Sequence, residues 1–286
     1  MSEAGVIHDI GYQRYDGPRL GRLAMQQALF VHGLRAAYGL GRSAKAKIFP
    51  WLVFGIMLLV AVIVAAVRSI TGEADVLTYL EFAGQMSFLI IFFTAIVAPQ
   101  LVSRDLRSGT LPLYFSRPLR AADYVSAKFA AMVSAIWLLL GVPQFIMFLG
   151  AVFTTKDGVK GVFNEIGDLL PGWGYSLLWA LMFAAIGLLV ASFTGKQAFA
   201  AGGIVAVFLV TTPIVGVLSS LPSTTANQLA FLGSPMTLLA GVGQWMGGRF
   251  DLELGRFGPI YGIEAVCLIA ACLLILLARY RKVASL

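Results

Sequence analysis

Hydrophobicity in this chain comes in long runs rather than in the short amphipathic repeats of a water-soluble protein. Uncharged apolar stretches separate its ionisable residues: Ile48 to Val67 lies between Lys47 and Arg68, and Phe82 to Ser103 between Glu81 and Arg104. Phe129 to Thr155 lies between Lys128 and Lys156, and Leu169 to Gly195 between Asp168 and Lys196. A fifth stretch runs from Gln197 to about Leu218, and a sixth from Pro259 to Ala278. About 20 such residues, wound as a helix, cross the hydrocarbon layer of a bilayer. The pattern predicts an all-α integral membrane protein with six transmembrane helices over residues 48–282.

A seventh uncharged run, Leu229 to Gly248, is long enough to cross as well. Gly233, Pro235, Gly241, Gly243, Gly247 and Gly248 interrupt it, and both residue types weaken the interior of a helix. The expectation is a broken element in an outer-side loop over 219–258, made of re-entrant or surface-lying short helices. Membranes tolerate irregular backbone where protein covers it. Residues 1–47 read as a cytoplasmic arm, extended over Gly11 to Gly21 and helical from Arg19 to about Leu40. Leu20, Leu23, Phe30, Leu34 and Tyr38 fall near one face of that helix, as in a helix lying along the membrane interface; packing on a partner is the alternative. No internal repeat points to duplicated halves.

Composition strengthens this reading. Hydrophobic residues make up 59% of the 286 and charged ones 12%, against about 45–50% and about 25% in soluble proteins. The few charges set the orientation. Of 21 Lys+Arg, 16 fall in the N-terminal segment, the connection between the second and third spans, the turn at Lys196 and the C-terminal tail. Basic residues are retained on the cytoplasmic side, so both termini are expected there, in the cell membrane. The same retention accounts for the net charge of +7 without a nucleic-acid partner. The basic segment before the first span lacks the pattern of a removable signal peptide, so that span is expected to act as the targeting signal.

Little reactive chemistry is on offer. Gly195 and Lys196 are followed by Gln197, and Val190 stands where a Walker A motif has its first glycine, so ATP cannot bind that way. His8 and His32 are the only histidines, and no cluster has metal-ligand spacing. Cys267 and Cys272 are five residues apart in one helix, turned about 140° from each other, and are not expected to pair. Glu264 is the one acid inside a proposed span. It reads as a carboxylate near the outer interface or paired with a neighbour such as Arg68, with ion coupling as the functional alternative.

The informative segment is SRDLRSGTLPLYFSRPLRAADYVSAK, residues 103–128. Leu111, Leu113, Tyr114 and Phe115 sit among five basic residues, apolar groups that a solvated loop has no reason to expose. They could fold back on the chain or dip into lipid, or a partner could cover them. In order come Arg104 and Asp105, then Gly109, Thr110 and Leu111, then Leu113, Tyr114 and Phe115, then Ser116, Arg117, Pro118 and Arg120, and finally Lys128. This series resembles the signature of ABC-2 type transporter permeases, with Asp105 where glutamate is more usual. The likeness extends to the interfacial helix, six spans, inward termini and the broken element containing Ser234 and Pro235.

The resemblance implies the membrane-spanning subunit of an ATP-driven exporter, not an enzyme by itself. It implies a separate ABC ATPase subunit that carries ATP and Mg, and a homodimer of the permease in a 2+2 complex within the lipid bilayer. The stretch 104–128 then corresponds to the coupling loop, with Arg104, Asp105, Gly109, Thr110, Leu111, Leu113, Tyr114, Phe115, Arg117 and Pro118 as ATPase-coupling residues. Because the family's second and fifth spans tend to face the dimer axis, Gln85, Phe88 and Phe92, on one helical stripe with Glu81, and Thr211 and Thr212 become candidates for the translocation path. A largely apolar path favours a hydrophobic or amphipathic cargo. The alternatives are an ion-coupled secondary transporter, for which only Glu264 could begin to supply a site, and a membrane-embedded enzyme or assembly factor, for which no reactive cluster is evident.

Overall fold

The computed structural model describes residues 21–71, 76–108, 119–155, 158–221 and 223–284, and every regular element among them is helical. Helix α1 (Arg22–Ala37) precedes α2 (Ala44–Thr71), the first span. The second span is assembled from α3 (Tyr79–Gln85), α4 (Ser87–Leu101) and α5 (Ser103–Arg107), and the third and fourth are α6 (Ala121–Thr154) and α7 (Gly158–Ser192). The fifth is α8 (Gln197–Ser219), and the short α9 (Thr224–Ala230) and α10 (Pro235–Trp245) lead to α11 (Gly258–Ala284), the sixth. Six stretches are thus long and apolar enough to cross a membrane.

Helices α6 and α7 are 34 and 35 residues long, well beyond the roughly 20 that a bilayer requires. They carry charged extensions beyond the apolar runs, where loop is expected from the sequence: Asp123 and Lys128 open α6, and Lys160, Glu165 and Asp168 lie in the first turns of α7. A helix ends where capping or turn residues stop it, not where the apolar run does. Arg120 and Asp123 form the capping box of α6, and α7 begins at Gly158 with φ +56°, a conformation suited to glycine. The second span differs in another way, for its helix is interrupted at Met86 and again at Val102. Thr78 caps α3 by accepting from the Glu81 backbone N–H, while the Glu81 carboxylate accepts from that of Thr78.

Helix α7 is the hub, touching α3, α4, α6, α8 and α11. An aromatic column runs along it from Tyr175 through Trp179 to Phe183, which stacks on Phe208 of α8 at 4.1 Å. Small residues let the neighbours close in, since a Cβ at Gly187 would meet Thr94 of α4 at 2.5 Å. Buried Gln144 donates to the Tyr79 carbonyl at 2.8 Å and to the Ser176 hydroxyl at 2.9 Å, joining α3, α6 and α7. Van der Waals fit and such bonds, rather than hydrophobicity, hold helices together in lipid.

Helix α1 packs along the extension of α6 and the end of α4. Its buried stripe is Leu29, Gly33 and Ala37, with Phe30, Leu34 and Tyr38 half-buried, whereas Leu23 is 73% exposed. Small residues, not the larger apolar ones read from the sequence, thus centre the contact. A Cβ at Gly33 would meet that of Ala131 at 2.9 Å.

Between spans five and six the chain forms a helical hairpin, α9 and α10 joined by a 3-10 turn at Phe231–Gly233. Ser234, at its inner tip, has its hydroxyl 2.9 Å from that of Thr211. Thr211 lies eight residues before the end of α8, so the hairpin returns about 12 Å into the bundle. The glycines that spoil 229–248 as a straight span create room here. A Cβ at Gly241 would collide with the Tyr261 ring, and one at Gly243 would meet the Tyr175 hydroxyl at 2.7 Å.

Candidate functional site

The base of the connection between α5 and α6 is a buried polar junction. Val102 breaks the helix, and Ser103 then anchors α5 to α7 by donating to the Ala191 carbonyl at 2.7 Å. That anchor turns Asp105 inward. Its Oδ2 lies 2.8 Å from the Lys128 ammonium and accepts from the Tyr124 hydroxyl at 2.8 Å. Lys128 is 3% exposed and lies over the Tyr124 ring, which packs against Tyr280 of α11 at 5.0 Å. An ion pair this enclosed has little net stability, but removing one partner strands the other charge.

Around the junction, further bonds fix the same end of the bundle. Asp123 accepts from the Arg120 backbone N–H at 2.9 Å and takes a bidentate pair from Arg22 at 2.6 Å, which pins α1. Gln26 donates to Ser126 at 2.7 Å, and Arg279 of α11 donates to the Ser192 carbonyl at 2.9 Å. Asp105 and Lys128, the first acid and last base of the 103–128 segment, therefore meet, and through Tyr124 and Tyr280 they reach the sixth span. Arg104, beside Asp105 in sequence, is exposed. Gly109, Thr110, Leu111, Leu113, Tyr114, Phe115, Arg117 and Pro118 lie outside the described residues, as does the arm before Gly21.

The path candidates separate into two groups. Gln85, Phe88 and Phe92 form an exposed stripe on the otherwise largely buried second span, Phe88 at 58% and Phe92 at 45%. Gln85 and Thr212 share a cavity of about 240 Å³ with Trp179, Thr237 and Arg249, beside the break at Met86. Phe88, Phe92 and Thr211 do not line it. Thr211 donates to the Val207 carbonyl at 2.7 Å and Thr212 to that of Phe208 at 3.1 Å, and both face Ser234 of the hairpin.

At the far end of the bundle the partner of Arg68 is Glu165, not Glu264. Arg68 Nη1 donates to Glu165 Oε2 at 3.2 Å, and the Tyr79 hydroxyl donates to the same oxygen at 3.0 Å. Glu264 is exposed on α11, beside the buried stripe of Tyr261, Ala265 and Ile269. Nearby, Arg249 meets Glu81 at 2.9 Å. The same Glu81 oxygen also accepts from the Arg249 backbone N–H at 3.2 Å. Sequence reasoning missed the Asp105–Lys128 and Arg22–Asp123 contacts. Their one visible signal was charge placed immediately before a long apolar run.

A family model, that of the ABC-2 family transporter protein, matches residues 24–246, from α1 through the hairpin. The chain belongs to the ABC-2 transporter family. The match takes in five spans and stops before the sixth, so the Tyr280 and Arg279 contacts lie beyond it. Members of this family are membrane components of ABC transporters, and this chain is accordingly a multi-pass transport protein. No curated protein matches the sequence.

Proposed function

We propose that this chain is the permease subunit of an ATP-driven exporter, two copies working with two copies of a separate ATPase that holds ATP and Mg. The observation that carries this reading is the Asp105–Lys128–Tyr124 junction. It clamps both ends of the connection through Leu111, Leu113, Tyr114 and Phe115, so force on that loop passes into α4, α6 and, through Tyr280, α11. The termini and this connection lie in the cytoplasm. The two copies meet along the second and fifth spans, where Gln85, Phe88 and Phe92 are exposed, and a hydrophobic or amphipathic cargo passes between them. The hairpin is re-entrant from the outer side. Catalysis of ATP hydrolysis belongs to the partner.

Phe115→Asp tests the coupling. An acid where the partner's groove expects an aromatic costs burial and desolvation, so the variant should reach the membrane yet lose its ATPase on purification in mild detergent and cease export. A variant that keeps both would sink the coupling role of this residue. Orientation is checked separately: cysteines at Thr71 and Lys160 should react with an impermeant reagent in intact cells, and one at Ser108 should not.

A further inference from the structure

A groove of about 1030 Å³ runs along α1, between it and the α4–α5 end of the second span. Arg35, Arg42 and Arg104 line it, and none of the three forms an ion pair among the described residues. The carboxylate on its wall, Asp105, is engaged by Lys128 and Tyr124. Arg42 is half-buried and donates to Gln100 Oε1 at 2.6 Å, a neutral partner. Burial, and then the like charge of Arg104, pushes its guanidinium below the ordinary value, the signature of cations gathered without an anion.

The groove's position indicates which anion. Helix α2 starts two residues after Arg42, and its apolar run begins at Ile48. The cationic end of the groove therefore lies where the chain enters the bilayer. Exposed apolar side chains line the groove as well, Val31 at 47% and Leu40 at 41%, and Ile48 at the start of the apolar run is 62% exposed. A soluble anion has no use for such a rim, whereas a phospholipid presents a phosphate and acyl chains together. Guanidinium groups match phosphate oxygens in shape and charge.

We infer that this groove is a binding site for an anionic phospholipid, with Arg42 and Arg104 on the phosphodiester, Arg35 beside them, and Val31 and Leu40 against the acyl chains. The site ties α1 and the base of the 104–128 connection to the membrane surface. It requires only that the chain cross a bilayer and is independent of the export reading.

Native mass spectrometry of the purified transporter, with whatever partner it retains, tests this with phosphatidylglycerol and phosphatidylcholine as probes. The wild type should retain phosphatidylglycerol in preference. Each arginine removed should weaken that binding roughly fivefold, the equivalent of ~1 kcal/mol per basic residue at an anionic surface. R35Q/R104Q should then weaken it about 25-fold and leave phosphatidylcholine unchanged. Both side chains are exposed, so the fold should survive; in R42Q, the rise in thermal stability that phosphatidylglycerol gives the wild type should disappear.

Equal retention of the two lipids by the wild type would overturn the site. So would an equal loss in the distant control R281Q/K282Q, which would reduce the effect to diffuse charge. Displacement of phosphatidylglycerol by millimolar inorganic phosphate would assign the groove to a soluble anion instead. An R35Q/R104Q variant that keeps the lipid but sheds its ATPase would assign it to a protein partner.

Discussion

At the end of the bundle that carries α3, the arginines Arg68 and Arg249 are matched by carboxylates, Glu165 with the help of Tyr79, and Glu81. At the end that carries α5, Asp105 takes Lys128 and Asp123 takes Arg22, while Arg35, Arg42 and Arg104 form no ion pair among the described residues. The matched pairs at both ends act as clamps between helices. Arginines without an ion pair gather along the groove beside α1, and surplus positive charge is what retention in the cytoplasm and attraction to an anionic surface act upon. Burial separates the ends further, since the Lys128 side chain is 4% exposed and that of Arg68 21%.

The largest effect is expected from Asp105→Ala, which leaves the Lys128 ammonium buried without a counter-charge. Such a change costs about 3–5 kcal/mol and should appear as a large drop in thermal unfolding temperature in detergent. Adding Lys128→Met should restore most of the loss; a double variant no more stable than the single one would show that the pair is not what the junction depends on. Glu165→Ala should cost less, about 2 kcal/mol, because water can reach the abandoned Arg68 and the main loss is of charged hydrogen bonds. A loss as large as that of Asp105→Ala would erase the difference between the ends.

Smallest of all should be the effect of Glu264→Gln. The carboxylate faces outward from α11 and takes no part in either set of clamps, and the amide keeps its shape. Export rates within about twofold of wild type at equal expression are expected. A collapse of transport would bring back an ion-coupled mechanism and make Glu264 its centre.

Much of this architecture was legible without coordinates. The runs from Ile48, Phe82, Phe129, Leu169, Gln197 and Pro259 mark six spans because burying apolar surface in lipid depends on composition over about 20 residues and on little else. The glycines and proline of 229–248 likewise forecast a broken element, and the signature from Arg104 to Lys128 pointed to the family that the match over residues 24–246 shows. Helical spacing placed Gln85, Phe88 and Phe92 on one face with Glu81, but their exposure and the burial of Glu81 are matters of packing. Less legible were the helix ends, for the charges of Asp123 and Glu165 looked like loop and proved to lie within helices.

Spans, their number and the asymmetry of basic charge belong to the sequence by itself, because hydropathy and charge are properties of local segments that no packing can alter. Partner choice belongs to the tertiary structure. Whether Arg68 finds Glu165 or Glu264, whether Asp105 turns toward Lys128, and whether Gly33 admits Ala131 are matters of helix rotation and approach. Neighbouring residues on a helix point about 100° apart, so a change of one position in rotation exchanges a buried ion pair for an exposed one. Only the packing of α1, α4, α6 and α7 against one another settles that rotation.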